Sequence, residues 1–255
     1  MTEERNLVAP STSSSPSITT VATRTVSYCD VDTDLTGVLV WNELLPGKRP
    51  GILLIHGGGG LDDHARDQAH RYAVLGYAVL ACDMYGDGVA GDRTRVMASV
   101  TALRDDPALL VRRGQAGLTA LSQCSQVSSN LAAIGFCFGG MAALALARSG
   151  ADLAGVVSIH GTLASRKLAE PGTLMPRILV CHGAADPHVP MADVVGFADE
   201  MDRANADWQL NIYGRAAHGF THKHTTPGAV PGVAYDRVAD ERSFTATCTF
   251  LDELP

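Results

Sequence analysis

The residues Gly135-Phe-Cys137-Phe-Gly139 hold a thiol between two glycines. An apolar run, Leu131 to Gly135, precedes them, and an alanine-rich run to Ala147 follows. The stretch reads as a short strand, an abrupt turn at Cys137 and a helix from about Phe138. This is the spacing of a nucleophile elbow, with sulfur in place of the more usual serine oxygen. A strand that turns straight into a helix strains its turn residue, so the flanking positions must be nearly free of side chains. The helix N-terminus beneath such a turn favours negative charge, first a thiolate and later an oxyanion. An inert cysteine buried in a Gly-rich turn is the plain alternative.

A free thiol titrates at about 8.5, so a nucleophilic cysteine needs a base or a positive field. The expected base is a histidine oriented by a carboxylate, in the chain order nucleophile, acid, histidine. Cys137, Asp186 and His218 supply that order, each just after an apolar strand. Nine histidines compete for the role. His64 and His70 lie within a helical stretch, while His56 and His182 directly follow strands and suit loop shaping. His160 and His188 are closer rivals. His218 is preferred because it follows the last strand on a loop, Ala217-His218-Gly219, able to reach back over the elbow. For Asp186 the competing role is an Asx turn before Pro187.

An oxyanion requires two backbone N–H donors. Phe138, next after the nucleophile, and Gly58, from the loop His56-Gly57-Gly58-Gly59-Gly60, are the expected pair. That loop lacks the Gly-Lys-Ser/Thr ending of a phosphate-binding loop. His218, His222 and His224 have a spacing that suggests a metal, but no acidic or cysteine partner completes a set, so no metal is expected. Tyr85, Arg93, Arg95, His160, Phe220 and His222 are expected to line a substrate pocket at the same sheet end; for the arginines a solvated surface is the alternative.

These side chains need elements to carry them. Continuous apolar runs at Gly51–Ile55, Tyr77–Cys82, Leu153–Ile159 and Arg177–Cys181 predict strands buried on both faces of a parallel sheet. Trp208–Tyr213 reads as a further strand. Thr23–Val31 and Leu35–Trp41 read as two edge strands. Helices are expected over Asp62 to Gly76, over Asp92 to about Ser125 with a break at Asp106-Pro107, over Met191–Ala204 and over Tyr235–Leu254. Strands alternating with helices imply an α/β fold, a mostly parallel central sheet with helices on both faces. Ligands bind such sheets beyond the carboxyl ends of the strands. His56, Asp83, Cys137, His160, Asp186 and His218 each follow a strand and should meet there.

Composition sets wider bounds. The chain has 255 residues, 46% hydrophobic and 18% charged, as expected of one large globular domain. Residues 1 to about 20, rich in Ser and Thr, read as a disordered leader ahead of a single domain over 21–255. The formal charge of −7 and the lack of a Lys/Arg block argue against nucleic acid as partner. Six cysteines without a CxxC pair suit free thiols in a reducing compartment. With no secretory signal and no membrane span in the sequence, the cytoplasm is the expected location.

With these pieces placed, the chain resembles the dienelactone hydrolase family of α/β-hydrolases. The matching stretches are Gly135-Phe-Cys137-Phe-Gly-Gly140, Asp83-Met-Tyr85, His182-Gly-Ala-Ala-Asp186-Pro-His-Val-Pro190 and Ala217-His218-Gly-Phe220. They spread from about residue 50 to the C-terminus. The resemblance implies an α/β-hydrolase fold and a Cys137–His218–Asp186 triad that cleaves an ester or lactone through an acyl-enzyme, without a cofactor. Members open dienelactones to maleylacetate. Two positions depart from the pattern. Well-known members carry a glutamate in the loop after the third strand, where this chain has Gly57. They also carry an arginine four residues after the triad histidine, where this chain has His222. Histidine is a poor substitute for a bidentate grip on a carboxylate, so an altered substrate pocket is expected.

The expected function is therefore cysteine-dependent hydrolysis of a small-molecule ester or lactone. A thioesterase or acyltransferase could use the same three residues, and a hydrolase-like scaffold that only binds a small molecule is the non-enzymatic alternative. A homo-oligomer is compatible with the sequence.

Overall fold

The structure is a computed structural model that describes residues 20–226 and 228–255. Residues 1–19, which make up nearly all of the expected leader, lie outside the described residues. The chain builds β1 (Val21–Asp30), β2 (Thr33–Asn42), β3 (Arg49–Ile55), α1 (Asp63–Val74), β4 (Ala78–Cys82), α2 (Arg93–Asp105) and α3 (Pro107–Ser122). It continues through β5 (Val127–Phe136), α4 (Phe138–Arg148), β6 (Gly155–Ile159), β7 (Arg177–Gly183), α5 (Met191–Arg203), β8 (Trp208–Tyr213) and α6 (Arg237–Asp252).

The strands form one eight-stranded sheet in the order β1-β2-β4-β3-β5-β6-β7-β8. From β4 to β8 all neighbours run parallel, while β1 and β2 are antiparallel additions. Thr23–Val31 is an edge strand as expected, but Leu35–Trp41 is not. It lies in β2, which is paired on both sides and buries Leu35, Leu39 and Val40.

Side-chain alternation sends each central strand's residues to two cores. Leu53 and Ile55 of β3 pack with α3, α4 and α5 on one face. Ile52 and Leu54 pack with Ala65, Ala69 and Tyr72 of α1 and with Phe250 and Leu251 of α6 on the other. Asp106 ends α2 and caps α3, its carboxylate accepting from the Ala108 and Leu109 amides at 3.0 Å. Its neighbour Pro107 takes the first helical position, where no N–H is needed.

Register decides what meets at the sheet top. Ile55 pairs with Gly135, Phe136 with Ile159, and Ile159 with Cys181. The next residues, His56, Cys137 and His160, are thereby set side by side at the carboxyl ends of three adjacent strands. Among the described residues, no helix is long and apolar enough to cross a membrane.

Candidate active site

Cys137 turns β5 into α4 with φ +53° and ψ −115°, a conformation unusual for any residue with a side chain. Space explains the flanking glycines. A Cβ on Gly135 would collide with the Gly139 carbonyl, and one on Gly139 with the carbonyl of Ile55. The Cys137 amide is held from the end of β6, donating to the Ile159 carbonyl at 3.0 Å and to His160 Nδ1 at 3.1 Å.

The structure brings the sulfur, one imidazole and one carboxylate together. His218 Nε2 lies 3.0 Å from Cys137 Sγ, and His218 Nδ1 lies 2.7 Å from Asp186 Oδ2. The other Asp186 oxygen accepts from the His188 amide at 2.8 Å and the Val189 amide at 3.2 Å, which fixes the carboxylate. The Asx turn at Asp186 thus exists alongside the contact to His218, using the second oxygen. His218 is reached by a loop after β8 whose backbone pairs with Gly232 and Ala234.

Charge follows from these contacts. Burial opposes a thiolate at Cys137, but the hydrogen bond and charge of His218, with the Phe138 and Gly58 amides, hold its pKa below the ordinary thiol value. Burial likewise opposes an imidazolium at His218, yet Asp186 and Cys137 outweigh it and raise its pKa to about 10. Both shifts favour a thiolate facing an imidazolium.

The Gly58 amide reaches the sulfur because its loop is braced from behind. His56 Nε2 accepts from the Met84 amide at 3.2 Å, which leaves the proton on Nδ1 to bond the Gly57 carbonyl at 2.7 Å. The Tyr85 hydroxyl donates to the Gly58 carbonyl at 3.2 Å. With the carbonyls pulled back toward β4, the N–H face of the loop turns to Cys137.

The expected pocket lining is only partly met. The Tyr85 hydroxyl donates its proton to the glycine loop and braces it. Phe220 is fully buried in the core shared with α1 and α6, touching His160 and Tyr213, and it cannot line a pocket. His160 is also fully buried, behind Cys137, where its ring serves the Cys137 amide. Arg93 and Arg95 are exposed at the start of α2, and Arg95 Nη1 bonds the Gly88 carbonyl at 2.7 Å. Asp83 also serves its own loop, accepting from the Tyr85 and Gly86 amides.

His222 does reach the site. Its ring lies over Gly57, where a Cβ would meet His222 Cε1 at 3.4 Å. It stacks on His64 with ring centroids 3.7 Å apart and planes 15° from parallel. Burial lowers the His222 pKa to about 4, which leaves a neutral ring at neutral pH. His224 is drawn away to Asp67 at 2.9 Å, separating the histidines whose spacing suggested a metal. Among the described residues no group of three His, Cys, Asp or Glu side chains could hold a metal ion.

His64 and Thr221 were not singled out as site residues in the sequence. Both are buried, and the Thr221 hydroxyl lies 2.9 Å from His64 Nε2 and 2.8 Å from His160 Nε2. The place of His64 in the first turn of α1, whose N-terminus opens at the sheet top, was the available signal.

This sheet order, with the Cys137 turn at its centre and a histidine loop after the last strand, defines an α/β-hydrolase fold. The dienelactone hydrolase family model matches residues 36–254, and the chain belongs to that family. Two solved structures are similar over nearly their whole length. One, named m3DLH, is 39% identical with a TM-score of 0.87, covering 92% of this chain and 98% of that one. The other is a dienelactone hydrolase-like promiscuous phosphotriesterase from metagenomic libraries. It is 40% identical with a TM-score of 0.87 over the same shares. A dienelactone hydrolase from Anabaena variabilis shares the fold at 22% identity and a TM-score of 0.67, covering 92% of this chain and 99% of that one.

Proposed function

We propose that this hydrolase uses Cys137 as a nucleophile on an ester or lactone. The observation that carries the reading is the continuous contact from Sγ through the His218 ring to Asp186, at 3.0 Å and 2.7 Å. The thiolate attacks the carbonyl carbon, and the oxygen becomes an oxyanion between the Phe138 and Gly58 amides. Collapse breaks the C–O bond, and His218 gives its proton to the leaving alkoxide, which leaves a thioester on Cys137. Neutral His218 then takes a proton from water, and the resulting hydroxide attacks the thioester. The second collapse releases the acid and restores the thiolate. Asp186 holds the ring so that Nε2 faces the sulfur.

The neutral His222 favours substrates without a carboxylate beside the scissile bond. It also favours a second reading, in which the same thiolate attacks the phosphorus of an uncharged phosphotriester and expels one of its alkoxides, which takes the His218 proton. The relative described as a promiscuous phosphotriesterase, 40% identical to this chain, supports that reading.

The deciding experiment is turnover of an activated short-chain ester by wild type and by Cys137→Ala, each shown folded by circular dichroism. The variant should lose at least about a thousandfold in kcat. Wild-type turnover by Cys137→Ala would overturn the mechanism. Added alcohol or thiol separates hydrolysis from acyl transfer, because a transferase would divert the acyl group from water.

A further inference from the structure

Behind the nucleophile lies a hydrogen-bonded chain that the reaction steps do not use. It runs from the Cys137 amide to His160, then to Thr221 and His64, all three of these side chains buried. The direction of its first two bonds is forced. A backbone amide can only donate, so His160 Nδ1 must present a lone pair to Cys137. Full burial keeps His160 uncharged, its pKa held well below the usual value. The ring proton therefore sits on Nε2 and is donated to Thr221 Oγ1. The threonine hydroxyl spends its own proton on its other neighbour, His64 Nε2, which also accepts from the Gln68 amide group at 3.5 Å. His64 must then carry its proton on Nδ1, a buried atom with no partner.

The chain begins at strained backbone. Cys137 and His160, the residues just past the paired ends of β5 and β6, both have positive φ, +53° and +41°. Such conformations persist only where surroundings over-determine them. The His160 amide continues the ladder to the Cys181 carbonyl, and its ring turns back to grip the Cys137 amide. The amide of the next residue, Phe138, faces the sulfur.

We propose that Thr221 is a positioning residue: its hydroxyl accepts the Nε2 proton of His160 and holds that ring in place, so that Nδ1 pins the amide of Cys137 and keeps the elbow in its working shape. The role rests on the proposed cysteine mechanism, although the tautomer itself does not. Thr221 touches neither the sulfur nor a substrate, so its effect passes entirely through His160.

The test compares Thr221→Val, which keeps the shape and removes the hydroxyl, with Thr221→Ser, which restores it. Active sites are titrated so that only folded enzyme is counted. Thr221→Val should lower kcat about tenfold, the scale of one buried hydrogen bond, with KM within about twofold of wild type. Thr221→Ser should recover most of the loss. Nitrogen-15 NMR of labelled histidine in the whole wild-type protein should give His160 a protonated Nε2 and an unprotonated Nδ1. Wild-type kcat in Thr221→Val, an equal loss in Thr221→Ser, or a proton on His160 Nδ1 would each overturn the assignment. Failure of the cysteine mechanism would show separately, as full turnover by Cys137→Ala, while the tautomer is read without turnover.

Discussion

The Tyr85 hydroxyl lies 3.4 Å from the Gly57 carbonyl, whose peptide group carries the Gly58 N–H, so a side chain just past β4 steadies an amide just past β3. Tyr85 is 5% exposed and packs against the rings of His56 and Phe138, so the brace cannot swing away. A loop of four consecutive glycines would otherwise be among the freest segments of the chain.

Tyr85→Phe should therefore impair chemistry more than binding. It removes one neutral hydrogen bond, so kcat should fall about three- to tenfold while KM barely moves. Steady-state kinetics with an activated ester checks this. A change confined to KM would place the hydroxyl in substrate binding.

The pH profile follows from the opposed shifts at Cys137 and His218. In the proposed mechanism the reactive state is a thiolate facing an imidazolium. Activity should rise with pH through a thiol pKa below the ordinary value, then fall as His218 loses its proton near pH 10. In Asp186→Asn the imidazolium loses its carboxylate, so the falling limb should move to lower pH. Turnover should also drop roughly a hundred- to ten-thousandfold as the ring loses its orientation. An unmoved falling limb would detach it from His218.

His222→Arg tests selectivity. The stacked, neutral His222 occupies the position where the family resemblance expects a cation. Arginine there should raise kcat/KM for a carboxylate-bearing lactone about tenfold relative to a neutral ester. Equal effects on both substrates would show that the ring does not govern charge preference.

Stability has its own test away from the site. Arg148 of α4 and Glu200 of α5 form a buried two-bond pair at 2.8 Å, and the Leu163 carbonyl and the Ala169 amide complete it. Glu200→Ala strands a buried guanidinium and should cost about 3–5 kcal/mol. Thermal unfolding should then shift down by roughly 10 °C. A loss under about 1 kcal/mol would mean that water reaches Arg148.

The central strands and the three contacting side chains could be read from the sequence because each depends on local pattern. A strand buried on both faces is a continuous apolar run, and the residue after it stands at the sheet's carboxyl edge wherever the chain goes next. The lining could not be read that way. Phe220 is two residues from His218, but Gly219 between them has φ +63°, and the chain turns Phe220 into the core. Arg93 and Arg95 stand exposed at the start of a helix whose tilt over the sheet is set by tertiary packing. His64, 157 residues from Thr221, becomes its neighbour only once α1 is laid beneath the last loop. β2 failed as an edge because a buried antiparallel strand and an exposed one share the same alternation until pairing is known.

The crowding around Gly135 and Gly139 fixes the path of the backbone without regard to the side chain between them. The sulfur proposed as nucleophile is thus an exchangeable fitting on a permanent mount. A hydroxyl placed there would inherit the same imidazole and the same two amide donors. It would not inherit a resting charge, since an alcohol yields its proton only as attack begins. Whether this enzyme waits armed or arms itself on contact is decided by one element of the periodic table at residue 137.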